Sequence, residues 1–165
     1  MFKLDPIKKM TAEERLKYMN TLLKGQLSSE RDPIANLSNA SAIIMACVER
    51  LNWAGFYILR GEQLVLGPFQ GLPACNRIEV GKGVCGTAVA TREVQLVPDV
   101  HQFPGHIACD AASNSELVVP IIKDDKVYGV LDLDSPEKGR FTELEKEYFI
   151  KFVNILNEYI DWEEV

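Results

Sequence analysis

Two hairpins are written into this chain, and they constrain its fold more than any other feature. From Asn52 the helical period gives way to a period of two, through N-W-A-G-F-Y-I-L-R and, past Gly61-Glu62, through Q-L-V-L-G-P-F. That period belongs to half-buried strands, and a two-residue break containing glycine joins such strands antiparallel. It also puts Trp53, Gly55 and Tyr57 on one face. A second pair, Leu117–Lys123 and Lys126–Asp134, flanks Asp124-Asp125. Arg77–Val80 and Val94–Val97 read as two shorter strands, and Val84–Thr91 between them as a short helix. Longer helices are predicted on either side. Residues 11–24 open on a capping box, Thr11 with Glu14, carry Leu16, Met19, Leu22 and Leu23 on one stripe, and end at Gly25. A second helix begins at Asp32-Pro33 and runs to about Arg50, and a last one spans Thr142 to about Trp162. Hairpin-joined strands with helices before and after them predict an α+β domain: a six-stranded antiparallel sheet with helices packed against it.

At 165 residues the chain is expected to form one domain, 1–165, with helices over 1–50, the sheet and its loops over 52–134, and the last helix over 142–162. A net charge of -6 leaves no basic stripe to displace counterions, which argues against nucleic acid. No apolar run approaches the roughly 20 residues that span a bilayer. The N-terminal M-F-K-L-D-P-I-K-K-M has no apolar core of a secretory signal, so the expected compartment is the cytoplasm, where thiols stay reduced.

Between the hairpins lies a glycine-rich segment, Gly71 to Glu116, that gathers Cys75, Cys85, Cys109 and both histidines, His101 and His106. Residues 99–114 carry no period, and unpatterned loops of that length usually serve function. Thiols collected in a loop of a reducing compartment point to thiol or metal chemistry rather than structural disulfides. The string G-K-G-V-C-G at 81–86 matches a dinucleotide fingerprint, yet its preceding strand R-I-E-V is short and polar and no βαβ order follows. It reads instead as a tight turn feeding a helix, with Gly83 near the cap. Cys85 then falls in the first turn, where free amides and the helix dipole favour a thiolate. A zinc site of three cysteines and a histidine meets spacings of nine and twenty-three intervening residues and no C-x-x-C pair. Burial of all three cysteines as inert hydrophobes stays open, and Cys47, in the helical stripe, reads that way alone.

The third constellation is acidic. In V-L-D-L-D-S, Asp132 and Asp134 sit two apart on a strand and share a face, while Glu116 enters the partner strand of the same hairpin. Carboxylates crowded together resist ionising together, so one can keep a proton near neutrality. A thiolate beside a protonated carboxyl can attack a centre while the oxygen leaving that centre is protonated.

G-P-F-Q-G-L-P-A-C, G-K-G-V-C-G-T-A, D-V-H-Q-F-P-G-H-I-A-C-D, S-E-L-V-V-P and V-L-D-L-D-S follow in the order and spacing of the free methionine-(R)-sulfoxide reductases, single GAF domains, which this chain resembles from about Asn52 to Phe141. The resemblance implies a GAF-type fold and thiol-dependent reduction of free L-methionine (R)-sulfoxide to L-methionine. It implies that Cys109 attacks the sulfoxide sulfur and becomes a sulfenic acid, and that Cys75 and Cys85 are resolving partners whose disulfide thioredoxin reduces. It casts Glu116, Asp132 and Asp134 as ligands of the ammonium group and the sulfoxide oxygen, and Trp53 and Tyr57 as the wall beside the sulfur and its methyl. An acidic pocket suits a free amino acid, and no metal or other cofactor is expected. The oligomeric state, a homodimer included, stays open. Which of Cys75 and Cys85 resolves first also stays open, with Cys75 favoured for its loop. The rival class is a non-enzymatic GAF domain sensing a small ligand or oxidants; a sensor is expected to carry an output domain, for which this length has no room.

Register decides whether the three carboxylates meet. A plain two-residue turn at Asp124-Asp125 puts Glu116 opposite Leu133, facing away from both aspartates. A third loop residue, or a bulge, for which Pro120 marks a site, restores the common face. The chemistry requires the latter, with Glu116 opposite Asp132 and with Tyr128, Val130, Asp132 and Asp134 lining the ligand face.

Overall fold

The computed structural model describes residues 3 and 5–165. Its helices and strands follow the chain as α1 (Ala12–Ser29), α2 (Pro33–Cys47), β1 (Trp53–Arg60), β2 (Gln63–Gly71), β3 (Arg77–Glu79), α3 (Gly83–Thr91), β4 (Gln95–Val97), β5 (Ser115–Lys123), β6 (Lys126–Ser135) and α4 (Glu143–Tyr159). The six strands form one antiparallel sheet in the order β3-β2-β1-β6-β5-β4. The α+β class and the six-stranded antiparallel sheet expected from the sequence are what the chain adopts.

Each face of the sheet carries its own layer. On one, α2 and α4 pack over Phe56, Leu117, Val119, Ile121, Leu131 and Leu133, and α1 packs on those two helices. On the other, α3 and the loops around it cover Trp53, Tyr57, Leu64, Val118 and Val130. Strand alternation produces the division, because neighbouring positions of β1, β5 and β6 serve opposite layers. The site belongs to the second layer.

Three helix ends differ from expectation. α1 does not stop at Gly25 but continues to Ser29. A glycine inside a helix costs about 1 kcal/mol, and burial of Leu27, four residues beyond Leu23 on the same stripe, outweighs it at about 1.5–3 kcal/mol. α2 ends at Cys47 rather than near Arg50, since Val48 is extended and Arg50 turns left-handed at φ 61°. α4 ends at Tyr159. Trp162 begins a separate 3-10 turn, where its indole donates to Asn157 Oδ1 at 2.8 Å and its ring stacks on Tyr128. The capping boxes form, Thr11 with Glu14 at α1 and Thr142 with Glu145 at α4.

The β5–β6 hairpin settles the register. Asp124 and Asp125 form a two-residue turn, both left-handed at φ 50° and 64°, the mirror-image turn that suits strand twist. Lys123 therefore pairs with Lys126 and Ile122 with Val127, but Ile121 pairs with Gly129. Tyr128 is the extra residue of a β-bulge. Beyond it Glu116 pairs with Asp134, and Val118 with Asp132. The common face is restored by the bulge, and the partner of Glu116 is Asp134, not the expected Asp132. The bulge also corrects the placing of Tyr128: it packs with the helical layer, its hydroxyl donating to Glu163 at 2.8 Å, away from the ligand face.

Candidate active site

β1, β5 and β6 are central strands, and their site-facing residues fall into register. Trp53 sits opposite Asp134, Gly55 opposite Asp132 and Tyr57 opposite Val130. Trp53 and Tyr57 are buried and stacked at 5.9 Å, and Phe69 from β2 stacks on Trp53 at 5.2 Å. That second stack depends on Gly55, where a Cβ would stand 2.3 Å from Phe69 Cβ. Both aromatic tips reach the loop after β2: the Trp53 indole donates to the Leu72 carbonyl at 3.2 Å, and the Tyr57 hydroxyl to the Cys75 carbonyl at 2.9 Å. The aromatic wall thus also holds the segment that carries Cys75.

Opposite this wall α3 enters through the glycine turn. Its close packing requires Gly86, whose Cβ would lie 2.3 Å from the Glu79 carbonyl oxygen. Cys85 is consequently pressed into the interior, 3% exposed, and its thiol donates to Glu116 Oε1 at 3.8 Å. The expectation of a thiolate there is overturned. Burial pushes its pKa well above the ordinary thiol value, and the charges of Asp132, Glu116 and Asp134 push it further. A helix N-terminus offers about 0.3–1 kcal/mol to an anion, too little against complete loss of water beside three carboxylates.

The three carboxyl groups form the floor, and all are buried. Burial is the first cause of a raised pKa at each. Asp132 is pushed up to about 6, while Glu116 and Asp134 lie well above their ordinary values, with the charge of Asp132 as the next cause for both. Oxygens of Glu116 and Asp132 lie within 4.8 Å of each other and of Cys85 Sγ. Asp132 Oδ1 is buried and has no hydrogen-bond partner among the described residues.

The roof is the segment 99–114. Cys109 reaches Cys75 and forms a disulfide with it, Cα to Cα 5.2 Å, inside the 4.4–6.8 Å that such a bond spans. Cys85 and Cys47 remain free and buried, Cys47 with its pKa raised to about 11 by burial. The histidines divide. His106 lines the pocket, its pKa lowered by burial and by His101, whereas the His101 ring meets Asn114 Oδ1 at 3.1 Å. Among the described residues no set of three cysteines and a histidine is assembled, since two of the cysteines are bonded to each other.

Three polar residues that the sequence did not single out complete the roof. The Asn52 side-chain amide donates to Asp110 Oδ2 at 2.9 Å and to Ser113 Oγ at 3.1 Å, while Asp110 Oδ1 caps the turn at the Ala112 amide, 2.8 Å. Asn52, just ahead of β1, therefore ties down the residue that follows Cys109. Its place next to Trp53 was the one signal available.

Between floor, wall and roof lies a cavity of about 30 Å³, lined by Trp53, Tyr57, Cys85, Cys109, Glu116, Asp132 and Asp134 among others. The eight side chains that the resemblance assigns to the site gather at this one place, seven along the cavity and Cys75 through its bond to Cys109. A cysteine pair at this spacing, over a buried floor of carboxyl groups whose pKa values are raised, can deliver two electrons and a proton to a small cationic guest.

The GAF domain model matches residues 36–160. The chain is 53% identical over 128 residues to a free methionine-R-sulfoxide reductase of Escherichia coli, covering 78% of this chain and 75% of that protein. It is 44% identical over 156 residues to a free methionine-R-sulfoxide reductase of Saccharomyces cerevisiae, covering 90% and 87%. Among solved structures, fRMsr of Staphylococcus aureus in complex with substrate superposes with a TM-score of 0.77 at 53% identity, over 85% of this chain and 94% of that one.

Proposed function

Since this chain belongs to the GAF domains of the free methionine-(R)-sulfoxide reductase family, we propose that it reduces free L-methionine (R)-sulfoxide to L-methionine at the expense of two cysteine thiols. The observation that carries the proposal is the Cys75–Cys109 disulfide lying over a floor of three buried carboxyl groups. Such a pair is the product of one turnover, and such a floor is what an ammonium group and a sulfoxide oxygen require.

The steps balance as follows. The Cys109 thiolate attacks the sulfoxide sulfur, forming a sulfur–sulfur bond, while Glu116, whose carboxyl burial holds well above its ordinary pKa, gives a proton to the sulfoxide oxygen. The hydroxyl then passes from the methionine sulfur to the Cys109 sulfur: its old sulfur–oxygen bond and the new sulfur–sulfur bond both break, methionine leaves with the electron pair, and Cys109 is left as a sulfenic acid. The Cys75 thiol then attacks the Cys109 sulfur, the sulfur–sulfur bond forms and water departs. Asp134 and Asp132 meet the substrate ammonium, whose charge draws both back toward ionisation. A methionine inside a peptide has no ammonium to offer, which makes the floor a selector for the free amino acid. Trp53 and Tyr57 flank the sulfur and its methyl.

Cys85 fits a resolving role less well than Cys75, since its thiol is turned to Glu116. The disulfide form holds a cavity of about 30 Å³, room for a water or two, where small-molecule sites run from about 300 Å³. Substrate accordingly enters the reduced form, once the segments carrying Cys75 and Cys109 have parted. A dithiol reductant of the thioredoxin class restores the thiols, in keeping with a cytoplasmic compartment. The test is turnover of the separate R and S epimers, free and peptide-bound, first with dithiothreitol and then with thioredoxin, its reductase and NADPH. Consumption of the free R epimer alone is expected; no turnover of any of the four refutes the proposal.

A further inference from the structure

Cys85 is the one buried thiol of the pocket that the Cys75–Cys109 pair does not use. Its Sγ, a carboxylate oxygen of Glu116 and a carboxylate oxygen of Asp132 all lie within 4.8 Å of one another. The three side chains come from α3, β5 and β6, so separate elements of the backbone hold them in place. Cys85 Sγ stands 3.8 Å from Glu116 Oε1. Around a tetrahedral ion, bonds of about 2.3 Å to sulfur and about 2.0 Å to oxygen set those atoms roughly 3.5 Å apart. A shift of a few tenths of an ångström therefore closes that pair on an ion.

A second observation is independent of this spacing. Asp132 is 6% exposed, lines the cavity and leaves Oδ1 without a partner among the described residues. A carboxylate oxygen kept from water and unmatched is costly until a donor or a cation meets it. One such oxygen, a second buried carboxylate and a thiol together make a mixed donor set. The thiol disfavours magnesium and calcium, which take oxygen ligands, and suits the borderline ions that accept sulfur and oxygen alike.

We propose that Cys85, Glu116 and Asp132 form a binding site for a thiophilic divalent cation of the zinc class, with the fourth coordination position open toward the cavity. The ion displaces the thiol proton of Cys85 and any proton on the two carboxyls, and these protons pass to solvent. Three anions then surround two positive charges. Glu116 and Asp132 also belong to the pocket proposed for methionine sulfoxide, so such an ion and the substrate exclude each other. The site needs only this geometry and stands whether or not the protein is a reductase.

The experiment uses the full chain with its Cys75–Cys109 disulfide intact, so that Cys47 and Cys85 are its free thiols. Cd²⁺ alone is the probe, followed by the thiolate-to-cadmium charge-transfer absorption. One equivalent is expected to saturate the band. The band is expected to persist in Cys47→Ala, to vanish in both Cys85→Ala and Cys85→Ser, and to need on the order of tenfold more Cd²⁺ or beyond in Glu116→Gln. Circular dichroism shows that each variant remains folded. A wild-type protein without the band, a band that survives the Cys85 substitutions, or an affinity indifferent to Glu116→Gln overturns the proposal. Because no turnover is read, failure here leaves the reductase assay unaffected, and failure of that assay leaves this titration unaffected.

Discussion

Replacing Asp132 by asparagine is expected to make the protein more stable and less useful, with the gain depending on pH. Asp132 is 6% exposed, and burial pushes its pKa from 3.8 up to about 6. A carboxyl with a raised folded-state value binds its proton more tightly in the folded chain than in the unfolded one. Stability therefore falls as pH rises from about 4 to about 6, and above that the penalty is constant. At 1.36 kcal/mol per pH unit, the interval from 3.8 to about 6 corresponds to about 3 kcal/mol at pH 7.5. Linkage leaves about 1 kcal/mol of it at pH 4.5. Asparagine has nearly the same shape and carries no charge, so Asp132→Asn removes the penalty and also relieves Glu116 and Asp134 of a neighbouring anion. For a chain of this length, 3 kcal/mol moves the melting temperature by roughly 6–12 °C. Urea unfolding of wild type and variant, both as the disulfide, at pH 7.5 and pH 4.5 provides the comparison. A gain that is absent at pH 7.5, or equal at the two pH values, refutes the reasoning that burial holds this carboxyl up. Activity of the same variant is expected to fall, since the penalty is what keeps an anionic site ready for an ammonium.

The other expectations concern separate parts of the site. Cys109→Ser is expected to abolish even a single turnover, whereas Cys75→Ser still converts one equivalent and accumulates a sulfenic acid at Cys109, detected by trapping with dimedone and mass spectrometry; a Cys109→Ser protein that completes one turnover excludes Cys109 as nucleophile. Glu116→Gln removes the proton donor and is expected to lower kcat/KM by roughly 10²–10⁴, measured on free sulfoxide at saturating dithiothreitol; retention of more than half the wild-type value would take Glu116 out of the chemistry. Gly86→Ala drives a Cβ to 2.3 Å from the Glu79 carbonyl and is expected to cost about 2–4 kcal/mol in denaturant unfolding. A neutral Gly86→Ala would show that α3 can withdraw from β3 without penalty.

What the sequence made legible follows the range of its interactions. Period-two alternation is a local signal, so the common face of Trp53 and Tyr57 on β1, and that of Asp132 and Asp134 on β6, could each be read from its own strand, while the pairing that joins the two faces could not. Glu116 required counting through a hairpin. The need for a bulge followed from the chemistry, but its position did not, because two consecutive residues such as Tyr128 and Gly129 reverse the alternation without leaving any trace in composition. Tyr128 was misplaced for that reason. Cys85 shows a different limit. Its place at the start of a helix was correct, yet its protonation is governed by carboxyl groups 31 to 49 positions away in the chain, and the helix-end rule sees none of them. Asn52 and Asp110 escaped notice because their role lies in one side-chain contact across 58 residues. The end of α1 was missed because Gly25 is a stop signal only when nothing beyond it is worth burying.

The central claim is that Cys75 and Cys109 supply two electrons to free methionine (R)-sulfoxide over this carboxyl floor. Fully reduced protein, freed of reductant and mixed with excess of the free R epimer, tests it in one step by counting the methionine released and mapping the disulfide formed. One methionine per chain, accompanied by a Cys75–Cys109 disulfide, is the expected result. Methionine released without that disulfide, equal reaction with the S epimer, or no methionine at all would contradict it.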